Sequence, residues 1–340
     1  MITYEKGINL GGWISQYKSF SSQHFDTFIQ EKDIEILAKA GFDHVRLPFD
    51  YPVIESDDQP GVYKESGLKY IDDCLTWCKA RNMGVVLDLH HAPGYRFQDL
   101  ATNTLFVERE KQNRFIHLWT FLTNRYILER DHIVFELLNE IVEPDSSRWN
   151  KLMLETIEAI RKLDKTRMIY VGGNNYNSPS ELKNIANIED DYIVYNFHFY
   201  NPFFFTHQKA SWSQSAMDYN KNVIYPGVYE GMEDFIASRP EYDYMKDLIN
   251  LQLDKELLRK ELRDALEFQK EHQCRLYCGE YGVIALTDLE SRIRWHADYV
   301  SLLREYGIGS ACWSYKEMDF EIYANDGKLL DQRFIDIMTQ

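Results

Sequence analysis

Two glutamates close apolar runs that lie far apart in the chain, in Phe135-Glu136-Leu137-Leu138-Asn139-Glu140 and in Tyr277-Cys278-Gly279-Glu280-Tyr281-Gly282. Carboxylates on opposite walls of a cleft suit hydrolysis of a glycosidic bond: one protonates the leaving oxygen while the other attacks or activates water. A single carboxylate cannot do both. Other polar residues sit in similar runs: Arg46 in His44-Val45-Arg46-Leu47-Pro48-Phe49, and His90 with His91 after Leu87-Asp88-Leu89. His198 and Tyr200 lie in Asn196-Phe197-His198-Phe199-Tyr200, and Trp313 in Ala311-Cys312-Trp313-Ser314-Tyr315. Asp88, His90, His91, His198 and a glutamate are also metal-ligand types. A metal-dependent barrel hydrolase, however, usually carries a His-x-His on its first strand, and the run Gly7–Trp13 has no histidine. A binding protein that has lost its chemistry would lack one of the carboxylates, and both are present.

These residues need a scaffold that brings distant strand ends together. Short apolar runs alternate with amphipathic helical windows, the pattern of parallel strands joined by crossover helices. The strands are expected at Gly7–Trp13, His44–Phe49, Gly84–His90, Ile133–Glu140, Met168–Gly172, Tyr192–Tyr200, Cys274–Gly282 and Gly309–Tyr315. The helices are expected at Glu31–Ala40, Leu68–Ala80, Asn113–Ile127, Ser147–Leu163, Pro179–Ile185, Lys255–His272, Leu289–Tyr306 and Asp331–Thr339. Eight such units fit an open nucleotide-binding sheet or a closed barrel. The first turn, Gly7-Ile8-Asn9-Leu10-Gly11-Gly12-Trp13, is neither a GxGxxG nor a Walker sequence, so a (β/α)₈ TIM barrel is preferred. In that architecture chemistry sits at the C-terminal strand ends, where the polar residues above fall. Adjacent strand residues face opposite ways, so only one of His90 and His91 is expected to look into the cleft.

A barrel of this type needs roughly 250 residues, and the chain has 340. The surplus is placed in Pro93–Lys111 and, chiefly, in Asn201–Asp254 after the sixth strand. That longer segment is expected to be an inserted subdomain with helices of its own, within a single domain spanning 1–340. The net charge of −16 and the lack of a basic run argue against nucleic acid or an anionic lipid surface as a partner. No stretch of 18 apolar residues occurs, and the start, Met1-Ile2-Thr3-Tyr4-Glu5-Lys6, is not an export signal. The expectation is a cytoplasmic protein, or a secreted one whose leader has been removed, and a monomer by default. Cys74, Cys78, Cys274, Cys278 and Cys312 read as buried thiols.

Taken in order, Gly12-Trp13, Arg46, His90, Asn139-Glu140, His198-Phe199-Tyr200, Glu280 and Trp313 resemble the residue set of glycoside hydrolase family 5, and the likeness runs nearly end to end. The resemblance implies hydrolysis of β-1,4-glucan, as polysaccharide or oligosaccharide, with retention of configuration and with neither metal nor cofactor. Mannan or another β-glycan is the alternative substrate. Glu140 would be the acid/base and Glu280 the nucleophile, so their carboxyl groups should lie about 5–5.5 Å apart. Glu140 should be kept protonated by burial and by the charge of Glu280, while Arg46 and Tyr200 keep Glu280 ionised. Asn139 would bind the sugar 2-hydroxyl, His90 and His198 would orient these groups, and Trp313 would offer a flat face to a sugar ring. Trp212, in the insertion, is a candidate for a further platform or for the segment's own core.

Overall fold

Strands buried on both faces need cover outside and filling inside, which only a parallel sheet wrapped in helices supplies. The strands here are β1 (Lys6–Asn9), β2 (His44–Asp50), β3 (Gly84–His91), β4 (Ile133–Glu136), β5 (Ile169–Gly172), β6 (Ile193–Phe199), β7 (Leu276–Tyr281) and β8 (Gly309–Cys312). They are buried along their lengths, apart from the first residue of β1 and of β8. They pair in parallel in chain order, and β8 returns to β1 to close an eight-stranded (β/α)₈ barrel. The computed structural model of the chain describes residues 2–340.

Helix ends follow local chemistry. Asp288 caps Leu289–Glu305 by accepting from the Ser291 N–H at 2.9 Å, and Gly41 ends Glu31–Ala40 in the left-handed conformation that glycine tolerates best. Two helical expectations are corrected. Lys255–His272 divides at Leu262 into Lys255–Glu261 and Arg263–His272, and the segment opened by Pro179 is a 3₁₀ turn, Pro179–Asn184. Among the described residues no helix is long and apolar enough to cross a membrane. Cys74, Cys78, Cys278 and Cys312 are buried, whereas Cys274 is only partly so, because it precedes β7 at the open lower rim.

Several strands stop earlier than their apolar runs. β4 ends at Glu136 rather than Glu140, and β8 at Cys312 rather than Tyr315. The residues beyond remain tied to the barrel by single bonds instead of a ladder, with the Asn139 N–H donating to Leu89 O at 3.1 Å and the Trp313 N–H to Tyr281 O at 2.8 Å. Freed from regular pairing, these ends can turn side chains that strict alternation would face outward.

Two such breaks matter. In β7 the register with β6 slips between Phe197 and His198, so Phe197 pairs with Cys278 and His198 with Glu280, and Gly279 is the extra residue. Without the slip Glu280 would sit three positions beyond the inward-facing Tyr277 and point out of the barrel. A Cβ at position 279 would lie 2.7 Å from Asn196 Oδ1, so the bulge requires glycine. The second break is Glu140, whose φ of +40° swings it inward directly after Asn139, which faces inward too.

Residues 201–254 contain helices Phe203–Thr206, Gln214–Tyr219 and Met232–Ser238 and a 3₁₀ turn, Pro240–Leu248. Tyr219, Tyr225, Tyr229 and Tyr242 from this segment are buried and continuous with the apolar core between barrel and helices. Trp212 and Tyr244 remain exposed.

Candidate active site

The centre of the barrel mouth is Arg46, fully buried on β2. Its guanidinium forms a two-pronged pair with Glu136, Nε to Oε2 at 2.8 Å and Nη2 to Oε1 at 2.7 Å, and donates through Nη1 to Glu280 Oε1 at 2.7 Å. It also donates to Asn9 Oδ1 at 2.9 Å and Asn139 Oδ1 at 2.8 Å, and Asp88 Oδ2 lies 3.0 Å away. Arg46 is thus both a structural ion-pair partner and a neighbour of the site, through a planar fork that lysine could not reproduce. A cation facing three carboxylates does not neutralise them all. Burial pushes Asp88 and Glu136 up to about 7 despite the guanidinium.

The two glutamates singled out by the sequence meet here. Glu140, His198 and Glu280 each present an atom such that all three lie within 4.8 Å of one another. Their surroundings differ. Glu280, on the β7 bulge, receives Arg46 on one oxygen and the Tyr200 hydroxyl on the other at 2.9 Å. Glu140 faces only the His198 imidazole, Nδ1 to Oε1 at 3.1 Å. Burial raises the proton affinity of both carboxylates. For Glu140 the charge of Glu280 adds to it and carries the group well above the ordinary carboxylate range. For Glu280, Arg46 and the Tyr200 hydroxyl oppose burial, so of the coupled pair Glu280 ionises first.

Asn139 spends its carbonyl on Arg46, which leaves Nδ2 buried with no partner at the mouth. His90 lies between Asp88, Nδ1 to Oδ2 at 2.6 Å, and Gln16, Nε2 to Nε2 at 2.5 Å. Burial lowers it to about 3, so the ring is neutral. It stacks on Trp313 with centroids 5.8 Å apart and planes 3° from parallel. His91 turns to Asp50 at 2.9 Å and Gln98 at 2.6 Å, in keeping with a structural role. Trp313 is buried against Ala210, Ile284 and Phe320. Trp212 is 54% exposed and packs on the rings of His207 and Phe320, both of which also touch Tyr200.

Of the residues a metal site would need, Asp88 and His90 bond to each other and His91 to Asp50. The trio that does converge has Arg46 2.7 Å from one of its carboxylates, a charge that opposes a second cation.

Sequence reasoning missed several members of this cluster. Asn9 and Asn196 are signalled only as amides within apolar runs. Asn9 Nδ2 donates to Gly279 O at 3.0 Å, and Asn196 Oδ1 accepts from the Gly279 N–H at 2.8 Å, so the two amides pin the bulge from both sides. Tyr95, in the loop after β3, had no signal. Its hydroxyl donates to Glu140 O at 2.7 Å and accepts from the Val142 N–H at 2.8 Å, clamping the turn that carries Glu140.

A closed barrel whose C-terminal mouth holds two unequal carboxylates around one buried arginine defines the class of barrel hydrolases that work through paired acids. A profile of the Cellulase family, glycosyl hydrolase family 5, matches residues 5–319, and the chain belongs to that family. It is 66% identical to Endoglucanase C of Acetivibrio thermocellus over 340 residues, covering 100% of this chain and 99% of that one. It is 34% identical to Cellodextrinase A of Ruminococcus flavefaciens over 309 residues, 90% of this chain and 84% of that one. Among solved structures, the cellulose synthase subunit Z of Clostridioides difficile superposes with a TM-score of 0.79 at 25% identity, covering 99% of each chain.

Proposed function

We propose that this chain is a retaining endo-β-1,4-glucanase in which Glu140 is the acid/base and Glu280 the nucleophile. The observation that carries the assignment is the inequality of the two carboxylates. Glu280 is held by a cation and a hydroxyl donor, which favours the ionised form a nucleophile needs, while Glu140 has only a neutral imidazole beside it and keeps its proton. One oxygen of each carboxylate lies within 4.8 Å of the other, a close approach in line with the roughly 5–5.5 Å separation of retaining enzymes. The 66% likeness to a protein named Endoglucanase C supports β-glucan as the substrate class.

In the first step Glu280 attacks the anomeric carbon as the glycosidic bond breaks, and the Glu140 proton passes to the departing oxygen. The glycosyl ester on Glu280 is then opened by water, whose proton Glu140 takes up, restoring both residues. The free Nδ2 of Asn139 is placed to donate to the 2-hydroxyl, a contact that strengthens as the sugar ring flattens. Tyr200, bonded to Glu280, holds the nucleophile's second oxygen. The parallel His90 ring fixes the orientation of Trp313, whose flat indole is the candidate platform for a pyranose ring.

The test is the product formed first from cellohexaose, followed by NMR. The β-anomer and internal cleavage products are expected, with Glu280→Ala reduced to background. First-formed α-anomer, or unchanged turnover in Glu280→Ala, would overturn the assignment. The same assay with glucomannan reports whether mannose is accepted as well.

A further inference from the structure

β5 contributes none of the residues expected from sequence, yet its C-terminal turn touches the site. After Gly172 and Gly173 come Asn174-Asn175-Tyr176-Asn177, in which residues 175, 176 and 177 have φ of +48°, +58° and +54°. Asn tolerates the left-handed region, but three such residues in a row, with Tyr176 among them, persist only where the surroundings impose them. The turn is bonded to the loop that carries Glu140. The Tyr176 N–H donates to Ile141 O at 3.1 Å, and the Asn174 amide accepts from the Glu143 N–H at 2.9 Å and donates to Glu143 O at 2.8 Å.

At the end of the turn Asn177 is fully buried, with Nδ2 3.5 Å from His198 Nε2. A Cβ on residue 172 would lie 2.4 Å from both polar atoms of this amide, so the amide rests on bare backbone and cannot retreat that way. His198 is buried and held well below its ordinary pKa by burial, with Arg46 adding to the effect, so its ring carries one proton for two nitrogens. Nδ1 faces Glu140 Oε1 at 3.1 Å and Glu280 Oε2 at 3.6 Å.

The tautomer decides what Glu140 does with its proton. If Nδ1 carries the hydrogen, the ring donates to the carboxylates and the Glu140 proton stays on the oxygen facing substrate. If Nε2 carries it, the bare Nδ1 accepts that proton and holds it away from the leaving group. We propose that Asn177 is a positioning residue for the acid/base: its side-chain N–H donates to His198 Nε2, fixing the Nδ1–H tautomer and keeping the Glu140 proton available to the departing oxygen. The anionic Glu280 draws the hydrogen toward Nδ1 as well, so both ends of the ring agree. The contact of 3.5 Å is at the long end of hydrogen bonds, so the tautomer itself has to be read directly. The inference rests on Glu140 being the acid/base, and its test separates the two ideas.

In the wild-type protein, ¹⁵N NMR of the His198 imidazole should show hydrogen on Nδ1 and an accepting Nε2, and a hydrogen on Nε2 alone would overturn the proposal. Asn177→Asp replaces the donor by an acceptor and should put a hydrogen on Nε2. Moving the existing proton there lets Nδ1 capture that of Glu140, and adding a second makes a cation that ionises Glu140, so acid catalysis suffers either way. General-acid help matters most for poor leaving groups. For Asn177→Asp, kcat/KM on β-glucan should fall about tenfold or more, within the ~10²–10⁴-fold worth of an acid catalyst. On 2,4-dinitrophenyl β-cellobioside, which departs without a proton, it should change less than about twofold. Asn177→Ala serves if the aspartate variant does not fold, with a smaller loss of the same selectivity. Equal losses on both substrates would mean that Asn177 is merely structural. Glu140→Ala is the control: if it too fails to discriminate between leaving groups, the acid/base assignment itself is wrong, whereas discrimination there without it in the Asn177 variants rejects only the present proposal.

Discussion

Val86, Val134, Tyr170, Val194, Tyr277 and Ala311 fill the lower barrel interior as one apolar cluster. Two residues further along the same strands stand Asp88, Glu136 and Asn196, joined by Asn9, Arg46 and Glu280, all buried. The strand geometry is shared and the physics is opposite. The lower layer gains from removing apolar surface from water and has no reacting group. The upper layer buries three carboxylates and most of a fourth, Glu140, around one guanidinium, an arrangement that stabilises poorly because desolvating charges costs as much as pairing them returns. What the upper layer provides is a set of groups whose proton affinities have been driven apart. The comparison separates stability from activity within a single barrel, and it can be broken at either layer.

The largest effect should come from Glu280→Gln. Activity should fall on the order of 10⁴-fold, while thermal unfolding is unchanged or moves slightly upward, since a buried charge has gone. A marked loss of stability would place Glu280 among the structural residues. In this variant Glu140 should also titrate lower than in the wild type, because a negative neighbour is removed, and ¹³C NMR of its carboxyl would read the shift. Arg46→Ala should damage both properties, costing ~3–5 kcal/mol by leaving buried acids without a partner, as seen by urea denaturation. Intact stability there would show that the upper layer needs no central cation.

Val134→Ala, in the lower layer, should cost about 2 kcal/mol through the cavity it leaves and leave kcat/KM within about twofold of wild type. A large kinetic effect would mean that the layers are coupled. The subtlest effect, a change of slope, should belong to Glu136→Gln. With Asp88 and Glu136 near 7 in the folded chain, the native state binds more protons than the unfolded one between the usual carboxylate range and about 7, so stability declines as pH rises across that window. The glutamine variant should lessen that decline, measured as Tm against pH, and an unchanged slope would remove Glu136 from the account.

How far the site could be read in advance differs residue by residue. The gathering of His90, Glu140, His198, Tyr200, Glu280 and Trp313 at the mouth was legible because each stands at or just beyond the end of an apolar run, and in a barrel that position is the catalytic face, whereas Arg46 showed only as a charge inside such a run. Asn177 and Tyr95 were not legible. They lie in loops where no periodicity marks a direction, and they act through bonds to His198 and to the backbone of Glu140 that no local pattern encodes. Strand lengths were overread for the same reason: Leu137 and Leu138 are as apolar as Phe135, yet they lie past the last ladder pair of β4.

The order of strands and helices, and hence the closed barrel, follows from the chain's own alternation, because apolar runs of strand length with helical windows between them admit few other ways to bury their surface. The inward aim of the two acids was settled elsewhere. Side-chain alternation fixes a direction only while the ladder is regular, and both acids stand where it is not, Glu280 on a bulge pinned by Asn9 and Asn196 and Glu140 on a left-handed residue clamped by Tyr95. Those clamps come from strands and loops remote in the chain, so they exist only once the barrel has closed.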